Sequence, residues 1–133
     1  MDRVFLDANV LFSAAYRADE GLAKLWKLSG VQLITSNYAV AEAQLNLDTD
    51  TQRQRLEGLV KRLEVVGEQP NEPDLLRDVN LHEKDRPILL AAVRSNATHL
   101  ITGDLRHFGK YLEQSISGVF IQTPAAYLRR HAR

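Results

Sequence analysis

Apolar residues fall in short bounded runs that alternate with stretches of helical spacing. Val4-Phe5-Leu6 is bounded on both sides and too short for a helix, so residues 3–7 read as a buried strand. Residues 8–17 read as a helix, or as an extended loop leading into one. Leu22, Leu25, Trp26 and Leu28 mark an amphipathic helix over residues 20–29, and Gly30 suits its stop. Residues 31–35 form a second strand, after which Ser36 or Asn37 can cap a helix over residues 38–47. Leu56, Leu59, Val60 and Leu63 give residues 49–63 helical periodicity. Residues 64–66 are a weak third strand, residues 67–74 a loop by every local signal, and residues 75–79 a short helical turn. The clearest helix is 85–95, with Pro87 tolerated in its first turn. Strands at 99–102 and 119–122 follow, separated by a helical or irregular stretch at 105–112, and a helix over 124–131 comes last.

This alternation predicts an α/β protein: three layers, with a central parallel sheet of about five strands flanked by helices. Right-handed crossovers leave few topologies, and ligands in such sheets bind beyond the carboxyl ends of the strands, where strand order reverses. The 133 residues, 44% of them apolar, suit one domain; halves of about 65 residues would each be marginal alone. The loop at 67–74 is therefore read as a surface loop, not a linker.

Composition narrows the chemistry. The chain has no cysteine, which excludes disulfides, zinc thiolates and a thiol nucleophile, and fits a reducing cytoplasm. The first residues lack the character of a signal peptide, and no apolar run approaches the length of a membrane span. Lys and Arg total 17, as do Asp and Glu, so whole-chain charge makes no case for nucleic acid. The distribution says more. Residues 37–50 carry three acids and no base, whereas from Leu105 onward there are five bases, one acid, and the histidines His107 and His131. An acidic centre beside a basic rim suits a metal site acting on a polyanion; a merely basic tail is the plainer alternative.

Four acids stand where a buried element meets a loop. Asp7 follows the first strand and Asp104 the fourth. Glu42 lies about one turn into the helix after the second strand, and Asp85 opens the clearest helix. Each has a local use of its own: Asp7, Asp85 and Asp104 as caps or turn residues, Glu42 as a solvated side chain. Their shared placement at one sheet edge points to one hard-cation site, where Asp7 and Asp104 would meet if strands one and four are neighbours. Carboxylates near a core are costly unless something positive compensates them. Oxygen donors suit Mg²⁺ or Mn²⁺, which can hold a phosphodiester and supply hydroxide from bound water.

Val4-Phe5-Leu6-Asp7-Ala8-Asn9-Val10, Ala39-Val40-Ala41-Glu42, Glu83-Lys84-Asp85-Arg86-Pro87-Ile88-Leu89 and Leu100-Ile101-Thr102-Gly103-Asp104-Leu105-Arg106-His107-Phe108 together resemble a PIN domain across nearly the whole chain. The Thr-Gly-Asp segment with Arg-His-Phe behind it is the most specific piece. The resemblance implies a single α/β nuclease domain over 1–133 and Mg²⁺- or Mn²⁺-dependent endoribonuclease activity. The expected products carry a 5′-phosphate and a 3′-hydroxyl. Small stand-alone members are often VapC-like toxins, inhibited by an antitoxin protein and commonly dimeric.

On this resemblance Asp7, Glu42, Asp85 and Asp104 match the family's acidic quartet. Asp7 and Asp104 would hold the principal metal, with Glu42 and Asp85 completing it. Thr102 matches a supporting hydroxyl, and Asn9 could hydrogen-bond a carboxylate, a water or its own turn. A further acid found in some members after the fourth is absent here, which weakens the case for a second metal. Arg106, His107 and Lys110 are candidates for contact with RNA phosphates, and Tyr16, Phe108 and Tyr111 for stacking on bases. Trp26 reads as core. Two rivals remain: a non-catalytic PIN-like module that binds RNA or protein, and phosphoryl transfer through an aspartyl-phosphate at Asp7. The latter lacks a second acid at Asn9 and a lysine beside Thr102-Gly103-Asp104.

Overall fold

The computed structural model describes residues 1–17, 20–67 and 73–131. Most of the loop expected at 67–74 lies outside them. In chain order the elements are β1 (Asp2–Leu6), α1 (Ala8–Tyr16), α2 (Glu20–Trp26), β2 (Val31–Ser36), α3 (Asn37–Asn46), α4 (Asp50–Val60) and β3 (Glu64–Val66). A 3₁₀ turn (Pro73–Leu76) precedes α5 (Arg86–Arg94) and β4 (His99–Ile101). Then come α6 (Leu105–Phe108), a second 3₁₀ turn (Gly109–Tyr111), β5 (Ser115–Ile116), β6 (Val119–Gln122) and α7 (Pro124–His131).

Val4, Phe5 and Leu6 of β1 are wholly buried, as a strand covered on both faces requires. β1 pairs in parallel with β2 and with β4, β2 with β3, and β4 with β6. The order is β3-β2-β1-β4-β6-β5. It reverses between β1 and β4, the neighbours on which the expected site depends. Leu6 aligns with Ile101, and Ile101 with Gln122, so these three strands end level with one another.

Helices flank this sheet. α1 packs against α3 and α4, α2 against α1 and α7, and α5 against β2 and β4. The core joins the central strands to Leu11, Leu25, Leu56, Ile88, Leu89 and Phe108 from the surrounding helices. Trp26 belongs to it as expected, and its indole N–H donates to the Leu59 carbonyl at 3.1 Å. Two caps set where helices start. The Ser36 hydroxyl accepts from the Ala39 N–H at 3.1 Å, which fixes the entry into α3. Thr49 and Gln52 form a reciprocal capping box at α4.

The expected three-layer α/β fold with a central, mostly parallel sheet is what the structure has; among the described residues the sheet has six strands, the short β5 joining antiparallel to the five read from the sequence. The additional strand, β5, is only two residues long and joins β6 through Ser117-Gly118. Both of these residues have positive φ, 49° and 87°, the pattern of a type I′ hairpin turn. Two residues are too few to show alternation, so only the turn carried the signal.

Candidate active site

β1 runs directly into the site. The Asp7 N–H still bonds to the Ile101 carbonyl of β4 at 3.0 Å, so the parallel ladder carries Asp7 to the sheet's C-terminal edge. Thr102 continues β4 in the same way, its N–H bonded to the Gln122 carbonyl at 3.0 Å. The two side chains therefore meet across the switch point. The Thr102 hydroxyl donates to Asp7 Oδ2 at 2.8 Å and accepts from the Asp104 N–H at 3.0 Å and from Asn9 Nδ2 at 3.3 Å. A hydroxyl has one proton and two lone pairs, so Thr102 is fully used and its proton is committed to Asp7.

Asn9 ties the two loops together. It donates to Asp7 Oδ2 at 3.0 Å and accepts the Gly103 N–H at 2.7 Å. A Cβ added to Gly103 would come within 3.2 Å of the Asn9 side-chain oxygen, so the glycine permits this close approach. Asp7 is itself the N-cap of α1, with Oδ1 accepting from the Ala8 N–H at 2.6 Å. Burial raises its pKa from 3.8 to about 6. Hydrogen bonds from Thr102, Ala8 and Asn9 pull the other way, and the Asp85 charge adds a smaller upward push. Desolvation, more than repulsion within the cluster, sets this shift.

Asp85 stands at the N-cap position of α5, yet its backbone is helical and its side chain makes no capping bond. It is free of the local duty that position suggests. Burial raises its pKa, while His107 lowers it and Asp104 raises it. Asp104 caps α6 by accepting the His107 N–H at 3.1 Å. His107 Nδ1 lies 2.8 Å from Asp104 Oδ2 with hydrogen-bond geometry, and 2.8 Å from Asp85 Oδ2 without it. One imidazole proton serves one acceptor well, so Asp85 Oδ2 is left buried with no hydrogen-bond donor. Glu42 approaches from α3, where the Tyr38 hydroxyl lies 3.5 Å from Oε1 and donates to the Lys84 carbonyl at 2.9 Å.

Asp7, Glu42, Asp85 and Asp104 all line one open cavity of about 410 Å³, with Asn9, Asn46 and Phe12 in its wall. Among the described residues no lysine or arginine lines it. An oxygen-rich donor set, a buried carboxylate oxygen without a donor and no fixed cation of Lys or Arg type fit a hard divalent ion.

The other sequence candidates are placed as follows. Thr102 and Asn9 join the network above. Arg106 and Lys110 are exposed and outside the cavity, Lys110 lying over the Tyr111 ring at 5.3 Å. His107, expected among the phosphate contacts, turns its Nδ1 inward to the acids. Phe108 is completely buried and cannot stack on a base, which corrects that expectation. Tyr16 is exposed beside Phe12, and the Tyr111 hydroxyl is engaged by the Asn80 N–H at 2.7 Å. Two residues at the site had not been singled out: Tyr38, one helical turn before Glu42, and His82, whose ring stacks on that of His107 at 4.8 Å. The i, i+4 spacing of Tyr38 and Glu42 was a signal available for the first.

A family model described as a PIN domain matches residues 3–106. The chain belongs to the PIN domain family. The match reaches from β1 past Asp104 and so spans all four acids. Comparison with curated protein sequences gives no significant match. Solved structures share the PIN fold. VapBC2 from Rickettsia felis, bound to a DNA fragment from its promoter, aligns with a TM-score of 0.70 at 16% identity, over 91% of this chain and 98% of that one. DNA-bound VapBC from Salmonella typhimurium gives 0.67 at 20% identity, over 93% and 99%. VapBC-1 from nontypeable Haemophilus influenzae gives 0.62 at 21%, over 92% and 98%.

Proposed function

We propose that this PIN-domain protein is a Mg²⁺- or Mn²⁺-dependent endoribonuclease, one domain spanning residues 1–133, and the toxin of a toxin–antitoxin pair. One observation carries the nuclease reading: four acids from four separate segments line a single cavity where the strand order reverses. Family membership and the likeness to VapBC assemblies support the biological role. An antitoxin protein is the expected partner, RNA the substrate and a homodimer the expected assembly. A cytoplasmic location, as expected for the toxin of such a pair, is part of this proposal; separately, no helix among the described residues is long and apolar enough to cross a membrane.

In this reading Asp7, Glu42, Asp85 and Asp104 hold the metal. When bound, the ion supplies a Lewis acid for the phosphodiester and an acidified water at neutral pH. The chain's own residues do the positioning. Thr102 and Asn9 fix the Asp7 carboxylate by hydrogen bonds to Oδ2, and with Ala8 bonded to Oδ1 one lone pair of Oδ1 is left for a metal. Tyr38 joins the helix that carries Glu42 to the turn that carries Asp85. Attack in line at phosphorus would leave a 5′-phosphate and a 3′-hydroxyl.

The aspartyl-phosphate alternative is disfavoured by the same geometry. No lysine among the described residues lines the cavity to stabilise a phosphorylated carboxylate. The test is cleavage of a single-stranded RNA by metal-stripped protein, resupplied with Mn²⁺ or Mg²⁺, with product ends determined. Cleavage that EDTA abolishes is expected. Stable RNA binding without cleavage in either metal would make the protein a binding module.

A further inference from the structure

His107 lies three residues beyond Asp104. Its Nδ1 is 2.8 Å from Asp85 Oδ2 and 2.8 Å from Asp104 Oδ2. The two carboxylates come from different elements, one before α5 and the other after β4. The hydrogen-bond geometry of Nδ1 favours Asp104, and Asp85 Oδ2, 2.8 Å from the same nitrogen, makes no well-formed hydrogen bond although the residue is only 9% exposed. A buried anionic oxygen left in this way is what a cation would relieve. The three donor atoms lie within 4.8 Å of one another. Neighbouring ligands of a six-coordinate ion with bonds of ~2.1 Å stand about 3 Å apart. The observed separations therefore suit a shared ion as well as a shared proton.

The imidazole is also held in place. Its face stacks on His82 at 25° between planes, and His82 Nδ1 is engaged by the Lys84 N–H at 3.1 Å. The His107 backbone N–H is bound to Asp104 Oδ1. A ring fixed on its face and at its backbone presents Nδ1 to the acids without further ordering.

We propose that Asp85, Asp104 and His107 form a nitrogen-containing metal position beside the acidic cavity that Asp85 and Asp104 line, one that selects Mn²⁺ over Mg²⁺. The proposal rests on the metal-dependent reading above and goes beyond it in assigning His107 as a ligand. Imidazole suits transition ions, whereas Mg²⁺ favours all-oxygen sets and gives up its waters reluctantly. His107 thus adds a nitrogen donor to two carboxylates and changes which ion the site prefers.

Pulsed electron paramagnetic resonance on metal-stripped wild-type protein loaded with Mn²⁺ decides the matter. Nitrogen coupling from a coordinated imidazole is expected. It should vanish in His107→Asp, which offers an oxygen ligand in its place and should still bind Mn²⁺. Calorimetric titrations of both proteins with Mn²⁺ and Mg²⁺ should show the preference for Mn²⁺ falling by about tenfold or more in the variant. Circular dichroism checks that the variant is folded. Bound Mn²⁺ without nitrogen coupling in the wild type would overturn this proposal and leave the metal-dependent reading standing. Failure of the wild type to bind Mn²⁺ at all would remove both.

Discussion

Asp7 is asked to do two things that oppose each other. Its burial disfavours the charged form, while three hydrogen bonds to its oxygens favour it, and burial prevails to put its pKa at about 6. The metal-free native state therefore binds a proton more tightly than the unfolded chain. Stability without metal should fall as pH rises from about 4 to about 6 and then level off. Asp7→Asn removes this titration, so the fall of its melting temperature with pH in EDTA should become shallower, the raised pKa of Asp85 supplying what remains. It also loses an acceptor for Thr102 and Asn9, so the slope is the diagnostic and not the melting temperature at one pH. An unchanged slope would assign the pH dependence elsewhere. Thr102→Val deletes the donor to Asp7 and leaves the Asp104 N–H without its acceptor. We expect a loss of about 1–3 kcal/mol in denaturant unfolding. At this scale much of the site was legible, because Asp7, Thr102 and Asp104 each sit at the end of an apolar run. The inward turn of His107 was not, since it depends on α5 delivering Asp85 to the same point.

Elements fix which acids can meet. Glu42 and Asp85 lie on α3 and before α5, which the sequence shows as separate helices with no sign of how they approach each other. Tyr38 supplies that link by bonding to the Lys84 carbonyl at 2.9 Å. Tyr38→Phe should lower thermal stability by about 0.5–1.5 kcal/mol, the range for one net hydrogen bond. It should also slow cleavage while leaving the circular dichroism spectrum intact. Full activity in this variant would show that α3 and α5 hold their spacing without the tether. The parallel strands were legible from apolar runs alone, and β3 was found although it is short. β6 was read from its apolar run, whereas β5 escaped because its two residues carry no pattern and the Ser117-Gly118 turn was the whole signal.

Across the whole molecule, a net charge of zero conceals an uneven distribution. The cavity is acidic, while Arg106 and Lys110 are exposed just beyond Asp104 in the chain. If these two cations neutralise RNA phosphates, changing both to Ala should weaken binding and flatten its salt dependence. The slope of log affinity against log salt should change by about 1.4 for two single-strand contacts. An equal slope in wild type and variant would leave them as solvated surface. The central claim is that acids distant in sequence act as one metal-binding catalytic site. Its most direct test is single-turnover RNA cleavage in Mn²⁺ by wild type and Asp104→Asn, with matched circular dichroism. Even partners one step removed from a metal cost about 10–100-fold, so loss of a charged ligand should slow cleavage by more than about 100-fold in a folded protein. Wild-type rates in the Asp104→Asn protein would contradict the account.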